Sequence, residues 1–224
     1  MNEVIVSGIA QKVNTFEGKT KIVEVTLTGK ANGGFATTRV KLFGKLAERY
    51  DPVEGKAYLA EGSLIQGRNG GVEVMARTLV ELDGAEVAEN DYGPYLSDAT
   101  NRVVVAGHLG ATPKLKPIEV GEEKETIALT TASLALNTPG REEPTWVPLK
   151  AWSEPAEYLA GYEKGQYVVV QGRLRLQSWT DKESGEKRYR QVVLVDRVLG
   201  GGRIARVKQT DAAEEGAFPK EAPF

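Results

Sequence analysis

The sequence contains no cysteine and a single histidine, His108, among its 224 residues. Without cysteine, neither disulfides nor thiolate-bound zinc can form, and one histidine leaves little room for histidine-based catalysis or metal binding. No apolar run approaches the roughly 18 residues that a membrane-spanning helix needs. The first residues lack the charged and apolar regions of a signal peptide. We therefore expect a cytoplasmic protein with no membrane contact and no cofactor.

The net charge of −2 is distributed unevenly along the chain. Residues 83–99 contain five acidic residues and no lysine or arginine, and residues 211–224 contain four acidic residues and one lysine. The remainder is mildly basic: basic residues outnumber acidic ones by eleven to nine in 1–82 and by seventeen to thirteen in 100–210. An anionic partner is therefore compatible with the folded parts, although the pI of the whole chain is about 5.7.

The chain contains a diverged internal repeat. The segment NEVIVSG at 2–8 recurs as NRVVVAG at 101–107, and GKAYLAEGSL at 55–64 recurs as GQYVVVQGRL at 165–174. Repetition of this kind predicts two similar domains. We place them at 1–82 and 100–200, joined by an acidic linker at 83–99 and followed by a flexible tail at 201–224.

Strand signals dominate both copies. In the first copy they lie near 3–13, 20–29, 34–43, 56–65 and 72–82, and in the second near 102–110, 124–136, 145–152, 166–178 and 187–199. A short helical signal follows the third strand of each copy, at 45–50 and 154–159. This order predicts an all-β protein with two tandem OB-folds, which are five-stranded Greek-key barrels, although other small barrels also have five strands.

Alternation along the third strand of each copy groups aromatic residues with cations. One face carries Thr37, Arg39, Lys41 and Phe43 in the first copy, and Trp146, Pro148, Lys150 and Trp152 in the second. Burying tryptophan beside an unpartnered lysine is costly, so this face is predicted to be an exposed platform. The alternative is a barrel whose interior takes Trp152 while Lys150 reaches solvent.

The segment 164–198 is predicted to form a long hairpin with a polar turn at 181–186. In its first strand Arg173, Arg175, Gln177 and Trp179 alternate with Leu174, Leu176 and Ser178, which offers the two leucines to a core. The second strand begins with Lys187, Arg188, Tyr189 and Arg190. Cations beside exposed aromatics are typical of surfaces that bind single-stranded nucleic acid. The alternative is a solvated hairpin with one tryptophan at its rim.

These segments resemble bacterial single-stranded DNA-binding proteins (SSB). Residues 40–48, VKLFGKLAE, are similar to the family's third strand and helix entry, and the spacing from Trp146 through Tyr189 is similar to its fourth strand, long hairpin and fifth strand. The resemblance covers roughly 1–82 and 101–199. A tandem pair resembles the SSB type with two OB-folds per chain, which forms a homodimer that presents four OB-folds.

The resemblance implies base stacking by Trp146, Trp152 and Trp179, and by Phe43 in the first copy. Together with the neighbouring cations, the predicted nucleic-acid-binding residues are Trp146, Trp152, Trp179, Arg173, Arg175, Lys150, Lys187, Arg188, Tyr189, Arg190, Arg39, Lys41, Phe43 and Lys45. The first copy departs from the pattern, because Thr37 stands at the position of Trp146 and a short turn at 67–71 replaces the long hairpin. Unequal contributions from the two copies are therefore expected.

The C-terminal residues Pro223 and Phe224 resemble the Pro-Phe terminus through which the family recruits replication and repair enzymes. They are predicted to bind partners, although this tail is short, carries Lys220 and has no run of aspartates; an incidental chain end is the alternative. The predicted function is non-enzymatic, sequence-independent binding and protection of single-stranded DNA during DNA replication, repair and recombination. The alternatives are an RNA-binding or protein-interaction factor and an OB-like nuclease, which would need convergent carboxylates and a divalent cation.

Overall fold

The first part of the chain folds into five strands and one short helix. In the computed structural model, which describes residues 1–31, 34–121, 125–137, 142–182 and 184–201, these elements are β1 (Asn2–Phe16), β2 (Ile22–Ala31), β3 (Gly34–Phe43), α1 (Lys45–Arg49), β4 (Ala57–Gln66) and β5 (Val72–Glu81). A 3-10 turn at Arg68–Gly70 joins β4 to β5. We call this unit the first barrel.

The acidic segment at 83–99, predicted to be a linker between the two domains, contains a hairpin. Its strands β6 (Val87–Asn90) and β7 (Gly93–Leu96) pair antiparallel, and Leu96 pairs with Gly29 of β2. The Leu96 side chain is buried in a small cluster with Ile9 and Ala57. The hairpin therefore extends the sheet of the first barrel, where its short, charged and proline-containing strands gave only a weak sequence signal.

The second part of the chain repeats the first with one extra strand. Its elements are β8 (Asn101–Leu109), β9 (Lys114–Val120), β10 (Glu125–Leu136), β11 (Thr145–Trp152), α2 (Ser153–Ala160), β12 (Tyr167–Thr180) and β13 (Lys187–Gly201). Strand β9, which the sequence pattern did not predict, lies on the outer edge of β10. We call this unit the second barrel.

Both units close into barrels of the same topology. The strands follow the order β1-β2-β3-β5-β4-β1 in the first barrel and β8-β10-β11-β13-β12-β8 in the second. In each barrel the third and fifth strands are parallel, with Val40 opposite Val74 and Leu149 opposite Val193. Closure pairs the backbone hydrogen-bonding groups of strands that would otherwise lie at the edges of a sheet. The predicted all-β fold of two tandem OB-folds is confirmed.

Residues that alternate along the strands fill the two barrel interiors. Val40 and Leu42 of β3, and Val147 and Leu149 of β11, are at most 2% exposed. Leu174 is also buried, whereas Leu176 is 44% exposed, so its predicted place in a core is wrong. The pairing of β12 with β8 ends at Gly172, and beyond Leu174 the described part of β12 continues with β13 as an exposed hairpin.

The two barrels are joined through their first strands. Strands β1 and β8 pair antiparallel in a symmetric register, with Asn2 opposite Val105, Val6 opposite Asn101 and Val4 opposite Val103 at the centre. The repeats are therefore related by a local two-fold axis that passes between the two central valines.

Two equivalent asparagines hold the strands around this axis. The Asn2 amide donates to the Leu64 carbonyl at 2.9 Å and accepts from the Leu64 N–H at 2.8 Å. Asn101 makes the same pair of hydrogen bonds with Leu174, at 2.9 and 2.8 Å. Repetition of asparagine at the start of both copies thus has a structural cause.

The hairpin of β12 and β13 lies across the first barrel. The guanidinium of Arg175 donates to the Phe35 carbonyl at 2.6 Å, and the Gln191 side-chain amide donates to the Thr37 carbonyl at 3.0 Å. At Gly71 a Cβ would lie only 2.8 Å from the backbone nitrogen of Gln191. Glycine at that position permits the close approach of the two barrels.

Neither helix of the described chain is long and apolar enough to cross a membrane.

Candidate nucleic-acid interface

The three tryptophans lie on the outside of the second barrel. Trp146 is 44% exposed, and Trp152 and Trp179 are partly exposed. In β11, Trp146 and Trp152 alternate with fully buried residues, so the barrel interior takes none of these rings. Trp146 packs over Gly110, where a Cβ would lie 2.5 Å from the ring.

Cations lie over three aromatic rings of this surface. The Lys150 ammonium is 4.7 Å from the centroid of Trp152, and the Arg190 guanidinium is 5.4 Å from that of Trp179. The Lys187 ammonium lies 5.7 Å from the ring centroid of Tyr189, which is 43% exposed. Each of these cations is attracted by the electrons of the ring. Each pair therefore places a positive charge beside an aromatic ring on this surface.

Two adjoining grooves connect this surface to the first barrel. The groove on the second barrel has a volume of about 400 Å³ and is lined mainly by Trp146, Pro148, Lys150 and Gln177. The groove between the barrels has a volume of about 280 Å³ and is lined by residues of both, including Thr37, Arg39 and Tyr189. Arg190 lines both grooves, so the two grooves adjoin at this side chain.

The outer face of the first barrel differs in its electrostatics. Lys41 lies 2.5 Å from a Glu73 oxygen and 3.8 Å from a Glu24 oxygen, and Arg39 lies 3.7 Å from Glu73. Arg68 lies 3.7 Å from Glu24. Sequence reasoning missed both carboxylates, which are 5% and 3% exposed. The available signal was a glutamate flanked by valines in two strands, Val23–Val25 and Val72–Val74.

Phe43 and Lys45, the other predicted nucleic-acid-binding residues of the first barrel, are more exposed to solvent than the two carboxylates. Phe43 is partly exposed on the same face of β3, and Lys45 is exposed at the start of α1. The structure therefore brings Phe43 and the cations of β3 together, as the alternation predicts, but surrounds the cations with acidic groups.

Three predicted arginines of the long hairpin are engaged by the protein itself. Arg173 forms an ion pair with Asp196, and Arg188 lies 3.2 Å from Asp181. Arg175, one of the predicted nucleic-acid-binding residues, donates to the Phe35 carbonyl of the first barrel. In this structure Arg175 serves as a link between the barrels.

The site contains neither the histidine nor a metal-binding group among the residues that the structure describes. His108 is exposed, and its ring contacts that of Tyr167 at a centroid distance of 5.2 Å. Among the residues that the structure describes, no group of three or more His, Cys, Asp or Glu side chains is placed to hold a metal ion. Pro223 and Phe224, the predicted partner-binding residues, lie outside the described residues.

Sequence comparison relates the chain to DNA-binding proteins. A model described as the single-strand binding protein family matches residues 100–199. A single-stranded DNA-binding protein of Thermus thermophilus is 33% identical over 241 residues, covering 91% of this chain and 89% of that relative. Single-stranded DNA-binding protein 2 of Nostoc sp. is 33% identical over 128 residues, covering 55% of this chain and 97% of that relative.

Structural comparison agrees on the fold. The crystal structure of the wild-type single-stranded DNA-binding protein from Thermus aquaticus matches with a TM-score of 0.66 and 21% sequence identity. The match covers 100% of this chain and 97% of that chain, so both barrels have counterparts in one polypeptide.

Proposed function

Since this chain belongs to the single-strand binding protein family, we propose that it binds single-stranded DNA without sequence preference, mainly on the outer face of the second barrel. The observation that supports this location is the pairing of partly exposed aromatic rings with cations, at Trp152 with Lys150 and at Trp179 with Arg190. Its relatives are named as DNA-binding proteins and not as enzymes, in agreement with the predicted non-enzymatic role.

The mechanism follows from the chemistry of these pairs. An exposed indole stacks on any base, because every base has a flat aromatic face, and the nearby cation attracts the phosphate. Such contacts carry no base-edge hydrogen bonds and so read no sequence. Duplex DNA offers its phosphates, but its bases are already stacked and cannot reach the rings.

The proposed path runs from the second barrel toward the first. Supporting this direction, Arg190 lines the groove of the second barrel and the groove between the barrels. The exposed ring of Tyr189 borders the second of these grooves. A strand that leaves Trp146 and Lys150 therefore meets Arg190 and Tyr189 before it reaches the face of β3.

A competition titration tests the proposed binding. Oligothymidine is expected to quench the tryptophan emission, and duplex of equal length is expected to compete poorly at moderate salt. The logarithm of the affinity should fall with the logarithm of salt concentration at a slope of about −0.7 per phosphate neutralised. Equal competition by duplex would contradict the stacking mechanism. Tighter binding of matched RNA would favour the RNA-binding alternative.

We also propose that the chain forms a homodimer that presents four barrels. The support is the resemblance to the two-OB-fold type of the family and the two barrels that one chain contains. In this homodimer, each chain is proposed to present two outer surfaces, one that carries Trp152 and one that carries Phe43.

We further propose that the C-terminal Pro223 and Phe224 recruit proteins of DNA replication and repair. The support is the resemblance of the tail to the family's terminus. Removal of these two residues is expected to abolish retention of such partners in a pull-down, because the terminal carboxylate and the phenyl ring supply the recognition, while leaving oligothymidine binding within about twofold. Retention of the same partners by the truncated chain would contradict the proposal.

A further inference from the structure

Each barrel has a lysine at the equivalent position of its third strand, but the residues beside the two lysines differ. Lys41 of β3 and Lys150 of β11 occupy equivalent sites in the third strands. In the neighbouring second strand, Lys41 is opposite Glu24, whereas Lys150 is opposite Thr131.

The fifth strand shows the same contrast. Val74 lies opposite Val40, and Val193 lies opposite Leu149, so the preceding residues, Glu73 and Val192, are equivalent. Both carboxylates that surround the lysine of the first barrel are therefore replaced by uncharged side chains in the second.

These substitutions change what each lysine is free to bind. Lys41 lies 2.5 Å from Glu73 and its side chain is only 21% exposed. Within the described residues, Lys150 has no carboxylate within 4.0 Å and lies over the ring of Trp152. A phosphate that approaches Lys41 must displace a fixed carboxylate and is repelled by a second one, Glu24. A phosphate that approaches Lys150 meets neither obstacle.

We infer that Glu24 and Glu73 are specificity-determining residues. Their carboxylates lower the affinity of the β3 face of the first barrel for nucleic acid and so favour binding of the strand to the second barrel. This inference rests on the proposed function. Both cations of the β3 face, Arg39 and Lys41, lie within 4.0 Å of a Glu73 oxygen. The carboxylates neutralise the charge that the cations would otherwise present to phosphate.

The test replaces Glu73 by glutamine in the full chain. Glu73→Gln keeps the size of the side chain and its capacity for hydrogen bonding, and Lys41 retains Glu24 at 3.8 Å. One additional phosphate neutralised at a slope of −0.7 corresponds to about fivefold tighter binding at 0.1 M salt. We therefore expect about fivefold higher affinity for oligothymidine and a salt dependence steeper by about 0.7.

A matched control separates this local effect from the change in net charge. Glu61 pairs with Arg77 at 3.4 Å, and both side chains are 50% exposed and line neither groove. Glu61→Gln changes the net charge equally but frees no cation of the β3 face. It is expected to leave the salt slope unchanged and the affinity within about twofold.

Several outcomes decide the inference. Tighter binding with a steeper slope for Glu73→Gln, and not for Glu61→Gln, supports it. Unchanged or weaker binding by a folded Glu73→Gln protein overturns it, as does an equal gain from the control. If thermal unfolding shows that Glu73→Gln does not fold, Glu24→Gln decides by the same criteria. Failure of the unaltered chain to bind oligothymidine would instead reject the proposed function.

Discussion

Replacing Trp152 and Trp179 together by alanine is expected to lower the affinity for oligothymidine by between about thirtyfold and about 25,000-fold. Stacking of one base on an aromatic side chain contributes about 1–3 kcal/mol, and two platforms are removed. The double substitution retains the cations Lys150 and Arg190, and Arg190 keeps its hydrogen bond of 3.2 Å to the Gln177 side chain. The salt slope should therefore change little while the affinity falls.

The matched control for this loss is Phe43→Ala in the first barrel. Phe43 occupies the position equivalent to Trp152 but lies on a face with buried carboxylates at Glu24 and Glu73. Because we propose that the strand is held mainly by the second barrel, Phe43→Ala should cost much less than either tryptophan. The measurement is a titration of each variant followed by Tyr or ligand fluorescence. Comparable losses from all three substitutions would contradict the asymmetry.

Replacing Asn101 by alanine is expected to lower the free energy of unfolding by about 2–4 kcal/mol, since a buried polar group without its hydrogen bond costs about 1–3 kcal/mol. Asn101 is 8% exposed and satisfies both the N–H and the carbonyl of the fully buried Leu174. Alanine leaves both groups without a partner in a closed part of the barrel junction. Urea denaturation followed by circular dichroism measures the loss.

The repeat provides the control, because Asn2 makes the same two bonds to Leu64. Leu64 is as buried as Leu174, but the Asn2 side chain is only partly buried, so truncation to alanine opens a route from solvent to the Leu64 groups. That substitution is expected to cost about 1 kcal/mol, near the value of an ordinary hydrogen bond. Equal losses at the two positions would show that burial does not govern the cost.

The regular elements were predicted well because their signals are local. Ten strands and two helices lie within a few residues of their predicted bounds, since period-two alternation and the residues that end strands act over short distances. Strands β6, β7 and β9 were not predicted. They are short or charged, and they are strands only because β2 and β10 offer edges to pair with.

The candidate site was predicted in its residue types but not in its charge balance. Alternation in β3 and β11 places Trp146, Trp152, Phe43 and the cations of these strands on the outer faces, as the structure has them. The partners of the cations could not be read from the same pattern, because Glu73 reaches Lys41 from a strand more than thirty residues away in sequence. The role of Arg175 was likewise decided by the neighbouring barrel.

The sequence by itself determined the two barrels and the outward position of their aromatic and basic residues, because the period of a strand fixes which side of the sheet each side chain takes. Only the tertiary structure decided which cations are neutralised and how the long hairpin lies across the first barrel. Those outcomes depend on contacts between strands that are distant in the chain. Ion pairs and hydrogen bonds form wherever folding brings their partners within a few ångströms, and spacing along the chain does not record that proximity.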